Sequence, residues 1–148
     1  MASSINNTFT YDVFLSFRGI DTRYTFTGHL HKALHDKGII TFIDDNHLKK
    51  GDQITPSLLK AIENSRIAII ILSKNYASSS FCLQELCKIL DCVTEKGVLV
   101  WPIFYDVEPS NLRKLSGSFG EAMAVHEVRY SGEIDRLKKW KKALNQVA

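Results

Sequence analysis

Cysteine is scarce in this sequence and poorly arranged for either disulfides or metals. There are three, Cys82, Cys87 and Cys92, an odd number without the paired spacing of a secreted disulfide framework. No CxxC pair is present, so no metal site is expected; reduced thiols along one helix are the simpler reading. No apolar stretch is long enough to span a bilayer. Met1 to Phe9 is polar and lacks the apolar core of a signal peptide, and the alanine at position 2 excludes N-myristoylation. The sequon Asn6-Asn7-Thr8 is idle without secretion. The expected location is therefore the cytoplasm or the nucleus, with no membrane partner. A phosphate-binding GxxxxGK[ST] loop is missing, which argues against a nucleoside-triphosphate switch. An excess of one charge is missing too: the net charge is +3. The basic cluster of Lys138, Lys139, Lys141 and Lys142 flanks an apolar stripe at helical spacing. It reads as a solvated helix face, and no nucleic-acid signature accompanies it.

What is present is enough for one globular domain. The chain has 148 residues, 45% of them hydrophobic, and a chain of this length buries well over half of its unfolded surface without a staple. No internal repeat or low-complexity segment appears. A polar tail over residues 1–10 precedes a domain over 11–148.

Strand and helix patterns then alternate to the end. Val13 to Phe17 is an apolar run that reads as the first strand. Asp21 or Thr22 is placed to cap the next helix, whose buried stripe is Phe26, Leu30, Ala33 and Leu34, and Gly38 ends it. Ile39 to Ile43 is the second strand, followed by a charged loop from Asp44 to Ile54. Thr55 caps a helix with Pro56 in its first turn and Leu58, Leu59 and Ile62 inside. Ile67 to Leu72 is nearly all apolar, as suits a strand buried on both faces of a parallel sheet. Ser78, Ser79 and Ser80 lead into a helix with Leu83, Leu86, Leu90 and Val93 buried. Val98 to Tyr105 is the fourth strand, and Pro102, which donates no ladder bond, puts it at or near an edge. A helical turn at Ser110 to Leu115 follows. Ser118 to Glu121 then reads as a capping box. The last helix, from about Glu133, turns Leu137, Trp140, Leu144 and Val147 inward. A fifth strand is expected between His126 and Gly132, but its pattern is weak. The architecture expected is α/β: a flavodoxin-like doubly wound parallel sheet of order 2-1-3-4, with helices on both faces.

Ligands of such sheets bind outside the carboxyl ends of the strands. Three segments converge there: Arg18 to Arg23, Asp44 to Ile54, and Ser73 to Glu85. The first offers a glycine, two guanidinium groups and a helix N-terminus, a combination that attracts anions; a turn with surface ion pairs is the alternative. Glu85 falls at the border of its helix's apolar stripe, and a helix-start glutamate favoured by the macrodipole is the plain alternative. Phe81 is either a core aromatic or a stacking platform for a base. His29 and His126 read as surface or packing histidines. A receiver-type phospho-acceptor would follow the third strand, where Ser73 stands, so Asp44-Asp45 is not read that way.

Five motifs in order make the reading specific. They are YDVFLSFRG with DTR (Tyr11 to Arg23), FIDDNHLKKG (Phe42 to Gly51), LSKNYASSSFCLQEL (Leu72 to Leu86), PIFYDVEPSNLRK (Pro102 to Lys114) and GSFGEA (Gly117 to Ala122). Together they resemble plant Toll/interleukin-1 receptor (TIR) domains, as found at the N-terminus of nucleotide-binding leucine-rich-repeat resistance proteins. The resemblance implies signalling in intracellular immunity, partnership with other TIR domains, and a self-association-dependent cleavage of NAD+, a substrate rather than a cofactor. By position, Glu85 resembles the catalytic glutamate. Arg18, Gly19, Ile20, Asp21, Thr22, Arg23 and Gly51 resemble dinucleotide-contacting loop residues. Phe81 stands where the family usually has tryptophan. Gly28-His29 replaces a usual Ser-His pair at one self-association surface, and Lys114 with Gly117 marks a second. The same resemblance also fits a catalytically silent adaptor.

Overall fold

The computed structural model describes residues 9–43 and 54–148. Strands and helices alternate as β1 (Tyr11–Ser16), α1 (Gly19–Thr22), α2 (Phe26–Asp36), β2 (Thr41–Ile43), α3 (Pro56–Glu63), β3 (Ser65–Leu72), a 3-10 turn (Tyr76–Ser78), α4 (Ser80–Lys96), β4 (Leu99–Phe104), α5 (Pro109–Lys114), α6 (Gly117–Arg129) and α7 (Ile134–Val147). The strands pair in parallel in the order β2-β1-β3-β4, so the doubly wound sheet expected from the sequence is the one observed. Pro102 lies on the edge strand, as its missing N–H requires. Tyr105 N donates to Leu72 O at 3.1 Å, and the two-residue period of the strand turns the nitrogen of Pro102 away from β3.

Alternation along β1 divides the interior in two. Phe14 joins the larger core with α3, α4, the 3-10 turn, α5, α6 and α7. Val13, Leu15 and Phe17 face the other way, where Phe26, Leu30 and Leu34 of α2 cover them. α2 and α7 therefore lie on opposite faces of the sheet. Trp140 is fully buried and anchors α7 by donating its indole N–H to Gln84 Oε1 at 3.0 Å. Thr55 caps α3 as expected, accepting from Leu58 N at 3.2 Å. Ser79 does the same for α4, accepting from Cys82 N at 3.1 Å, and Gly38 ends the turn after α2 at φ +79°.

Several local expectations are corrected. No strand forms between His126 and Gly132, because α6 runs on to Arg129 and Tyr130 turns the chain straight towards α7. β2 is shorter than expected, since the Asp12 carboxylate takes the Ile40 N–H at 2.8 Å. Ala33 is exposed: the stripe of α2 steps by four residues through Phe26, Leu30 and Leu34 and leaves it outside. Val93 is exposed because the buried line of α4 passes through Ile89 and Cys92 instead. Ser118 is no cap; α6 begins two residues earlier, after Ser116, whose hydroxyl donates to Asn111 Oδ1 at 3.1 Å.

The α5–α6 corner is tight. Leu115 and Gly117 both take positive φ, 50° and 60°, a region costly for a leucine and natural for a glycine. A Cβ at Gly120 would press into the Leu115 carbonyl. Gly120→Ala should therefore lower stability by about 1–3 kcal/mol despite the helix propensity gained, read as a fall in urea midpoint. An unchanged or raised midpoint would show that the corner relaxes freely.

Candidate active site

The carboxyl ends of β1 and β3 and the first turns of α4 meet at one place, and polar side chains are concentrated there. Ser16 closes β1 with no exposure, in a run that is otherwise apolar, and Glu85 is only 4% exposed. The Ser16 hydroxyl donates to Glu85 Oε1 at 2.6 Å and lies 2.8 Å from the Tyr76 phenol oxygen. The Tyr76 hydroxyl also faces Cys82 O at 3.2 Å, and the Cys82 thiol points at Phe17 O at 3.6 Å. β1, the 3-10 turn and α4 are thus laced together around one carboxylate. His126 braces the same turn from α6. Its Nε2 lies 2.8 Å from Ala77 O, and a carbonyl only accepts, so this nitrogen carries the proton.

The loop after β1 is held by Asp21. Arg18 Nη1 reaches Asp21 Oδ1 at 2.6 Å, and the Ser73 hydroxyl donates to Asp21 Oδ2 at 2.5 Å. One carboxylate so ties the segment after β1 to the end of β3. Thr22 is buried and bonded to Thr27 at 2.6 Å between hydroxyls. Neither Asp21 nor Thr22 caps the helix that follows; both lie inside the short α1, and α2 begins after Thr25.

The predicted residues are thus sorted by their surroundings. Arg18, Gly19, Asp21 and Glu85 gather at the carboxyl edge. The Arg23 guanidinium lies over the Phe17 ring at 4.9 Å. Ile20, 82% exposed, stands in solvent. Phe81 is half-buried and packs on the larger core. Gly51 lies outside the described residues. Glu85 corrects its expected place at the stripe border. The first turns of α4 lie against the end of β1, where Ser16 and Phe17 cover Glu85 and Cys82, and α7 covers Cys87, which widens the buried arc. His29 is exposed on α2, as are Lys114 and Gly117 at the α5–α6 corner. Gly28 is constrained by packing: a Cβ there would lie 2.6 Å from the Arg23 carbonyl, so the missing side chain lets α1 approach α2. Two of the four clustered lysines are paired, Lys139 with Asp91 at 3.6 Å and Lys141 with Glu127 at 2.5 Å, in keeping with a solvated face.

Ser16, Tyr76 and Ser73 were not singled out from the sequence as partners of this site. The available signal was a serine ending an apolar strand, where a hydroxyl needs a buried partner. Among the described residues no cluster of three metal-ligating side chains occurs, and no helix is long and apolar enough to cross a membrane. A hollow of about 290 Å³ lined by His31, His35 and Gly38 to Thr41 lies at the amino-terminal end of β2, away from these carboxyl ends.

A parallel sheet with a carboxylate seated at its carboxyl edge defines a doubly wound α/β domain with a candidate ligand site. Residues 10–148 match the family described as TIR domain, and the chain belongs to that family. It is 54% identical over 145 residues to the Disease resistance protein RPV1 of Vitis rotundifolia, covering 98% of this chain and 10% of that protein. It is 50% identical over 147 residues to the TMV resistance protein N of Nicotiana glutinosa, covering 99% of this chain and 13% of that protein. The chain so spans only about a tenth of the length of these relatives. Among solved structures it is similar to the TIR domains of the activated Roq1 resistosome directly recognizing the pathogen effector XopQ, with a TM-score of 0.87 and 49% identity over 93% of this chain and 83% of that one.

Burial leaves a measurable trace on the thiols. Burial first, then the neighbouring Glu85 carboxylate, pushes Cys82 from its ordinary 9.0 up to about 12. Burial likewise raises Cys87 to about 11, and Tyr76 stands well above 10.0 mainly for the same reason. Unfolded thiols ionise near 9.0 while the folded ones keep their protons, so the native state binds more protons above that pH and stability falls as pH rises. The urea midpoint should be flat with respect to these thiols below pH 9.0 and decline from there towards pH 12. Cys82→Ala should flatten that decline; an unaltered slope would contradict the assignment.

Proposed function

We propose that this chain is a signalling domain of plant immunity that hydrolyses the nicotinamide N-glycosidic bond of NAD+ when copies of it associate. The observation that carries the reading is Glu85: a carboxylate at the carboxyl edge of the sheet, held by Ser16 at 2.6 Å and bordered by the Arg18–Asp21 loop. Family membership and the likeness to TIR domains within an activated resistosome support the association.

One carboxylate suffices for this chemistry. Nicotinamide leaves from NAD+ as a neutral base, so no general acid is needed. The C1′–N bond breaks with its electron pair going to the ring nitrogen, and positive charge develops on the ribose. A carboxylate beside that ribose stabilises the oxocarbenium-like state or orients its hydroxyls. Water then adds at C1′ and loses a proton, leaving ADP-ribose. Arg18 and Arg23 supply the positive charge that suits a pyrophosphate.

Recruitment of partners without catalysis is favoured by one specific observation, the 4% exposure of Glu85. On the enzymatic reading, association opens or completes the pocket around this carboxylate, and specific activity rises with protein concentration. Because Glu85 is buried, Glu85→Gln is the cleaner variant: the amide oxygen still accepts from Ser16, whereas alanine leaves a hole and an unpaired hydroxyl. Glu85→Gln should reduce NAD+ turnover at least about 100-fold, the scale at which loss of an electrostatic stabiliser is felt, with the melting temperature nearly unchanged. Lys114→Glu should lower turnover at moderate concentration and spare the fold. Gly117→Arg cannot separate the two effects, because the φ of 60° at Gly117 strains any side chain. Wild-type turnover in folded Glu85→Gln, or none from any concentrated or clustered wild type, would favour the adaptor.

A further inference from the structure

We propose that Ser16 is a positioning residue for Glu85 and that Tyr76 in turn fixes Ser16, so that a directed chain of hydroxyls aims the carboxylate. The proposal rests on the reading that Glu85 acts on NAD+.

The direction of the chain follows from counting protons. A carboxylate only accepts, so the Ser16 hydroxyl spends its one proton on Glu85 Oε1 at 2.6 Å. At Tyr76, 2.8 Å away, Ser16 has no proton left and accepts. The phenol donates, and its alternative acceptor, Cys82 O, is farther off at 3.2 Å. Burial holds the Tyr76 pKa well above 10.0, so the phenol remains a donor throughout the working pH range. Ser16 and Tyr76 are both without exposure, so water does not compete for these bonds. Linked hydrogen bonds in such surroundings strengthen one another.

Packing alone does not ask for this arrangement. An alanine at Ser16 and a phenylalanine at Tyr76 would fill nearly the same volume, and buried polar pairs add little net stability over apolar groups of the same shape. What the hydroxyls provide is direction. They fix the rotamer of one carboxylate oxygen and hold the group in place before the ribosyl charge develops. Oε1 is anchored to β1, a strand paired on both sides, rather than to the loop that follows it. The loss of such an anchor costs orientation in the transition state more than substrate binding, and so falls on kcat.

The test uses the full chain under conditions where the wild type cleaves NAD+. Ser16→Ala should lower kcat roughly tenfold with KM changed less than about twofold, and without loss of folded protein by melting. Tyr76→Phe should lower kcat less, because Ser16 still reaches Glu85. Ser16→Thr, which keeps the hydroxyl, should recover most of the lost rate. A readout independent of turnover is the carboxyl carbon resonance of Glu85, identified by its disappearance in Glu85→Gln. It should move in Ser16→Ala and move less in Tyr76→Phe. Wild-type kcat in Ser16→Ala, a fall in rate no larger than the fall in folded fraction, or an unmoved carboxyl resonance overturns the positioning role. Absence of turnover in the wild type, with the resonance shifting as stated, overturns the enzymatic reading instead.

Discussion

An ionised side chain buried in an apolar core is costly unless its oxygens are satisfied. The seat of Glu85 is built around that constraint. Its carboxylate lies against the end of β1, where Ser16 meets it at 2.6 Å. Supplying that hydroxyl requires a serine in an otherwise apolar strand. Holding the serine requires Tyr76 in the 3-10 turn, and holding the turn brings in His126 from α6. The polar path runs from α6 through the turn and β1 to α4, joining parts of the chain far apart in sequence. The raised thiol of Cys82 belongs to the same environment, since the low polarity that strengthens the Ser16–Glu85 bond also resists a thiolate beside it.

Glycines set two corners of the chain. Gly28 allows α1 to lie against α2, and Gly120 allows the α5–α6 corner to close on Leu115. The residues expected at self-association surfaces, His29, Lys114 and Gly117, sit on or beside these corners. A substitution at Gly28 or Gly117 therefore alters the backbone as well as the surface, whereas His29 and Lys114 are exposed side chains on settled helices. Gly28 illustrates the point: a side chain there would meet the Arg23 carbonyl within the monomer.

The sheet was legible in the sequence because its strands are unbroken apolar runs and Pro102 marks the edge. The helix start at Thr55 was legible because a hydroxyl cap and a following apolar stripe coincide, and that of α4 was narrowed to Ser78, Ser79 and Ser80, of which Ser79 is the cap. Glu85 was singled out by motif and misplaced by periodicity. A single-face phase puts it at a border, but the end of β1 lies against the first turns of α4 and covers that border. Ser118 shows the opposite failure, a good local signal overruled by the chain turn at Leu115 and Gly117. The partnerships of Ser16 with Glu85 and Ser73 with Asp21, separated by 69 and 52 residues, are long-range pairings that no local spacing announces.

The relatives extend well beyond this segment, which spans about a tenth of their length. The proposed ligand site lies at the carboxyl edge around Glu85. Backbone amide shifts recorded while a hydrolysis-resistant NAD+ analogue is titrated into the concentrated domain test it most directly. The largest changes are expected at residues 16–23, 73–76 and 81–86, saturating together. Changes centred instead on residues 31–41 at the amino-terminal end of β2, or on the outer face of α7, would contradict it.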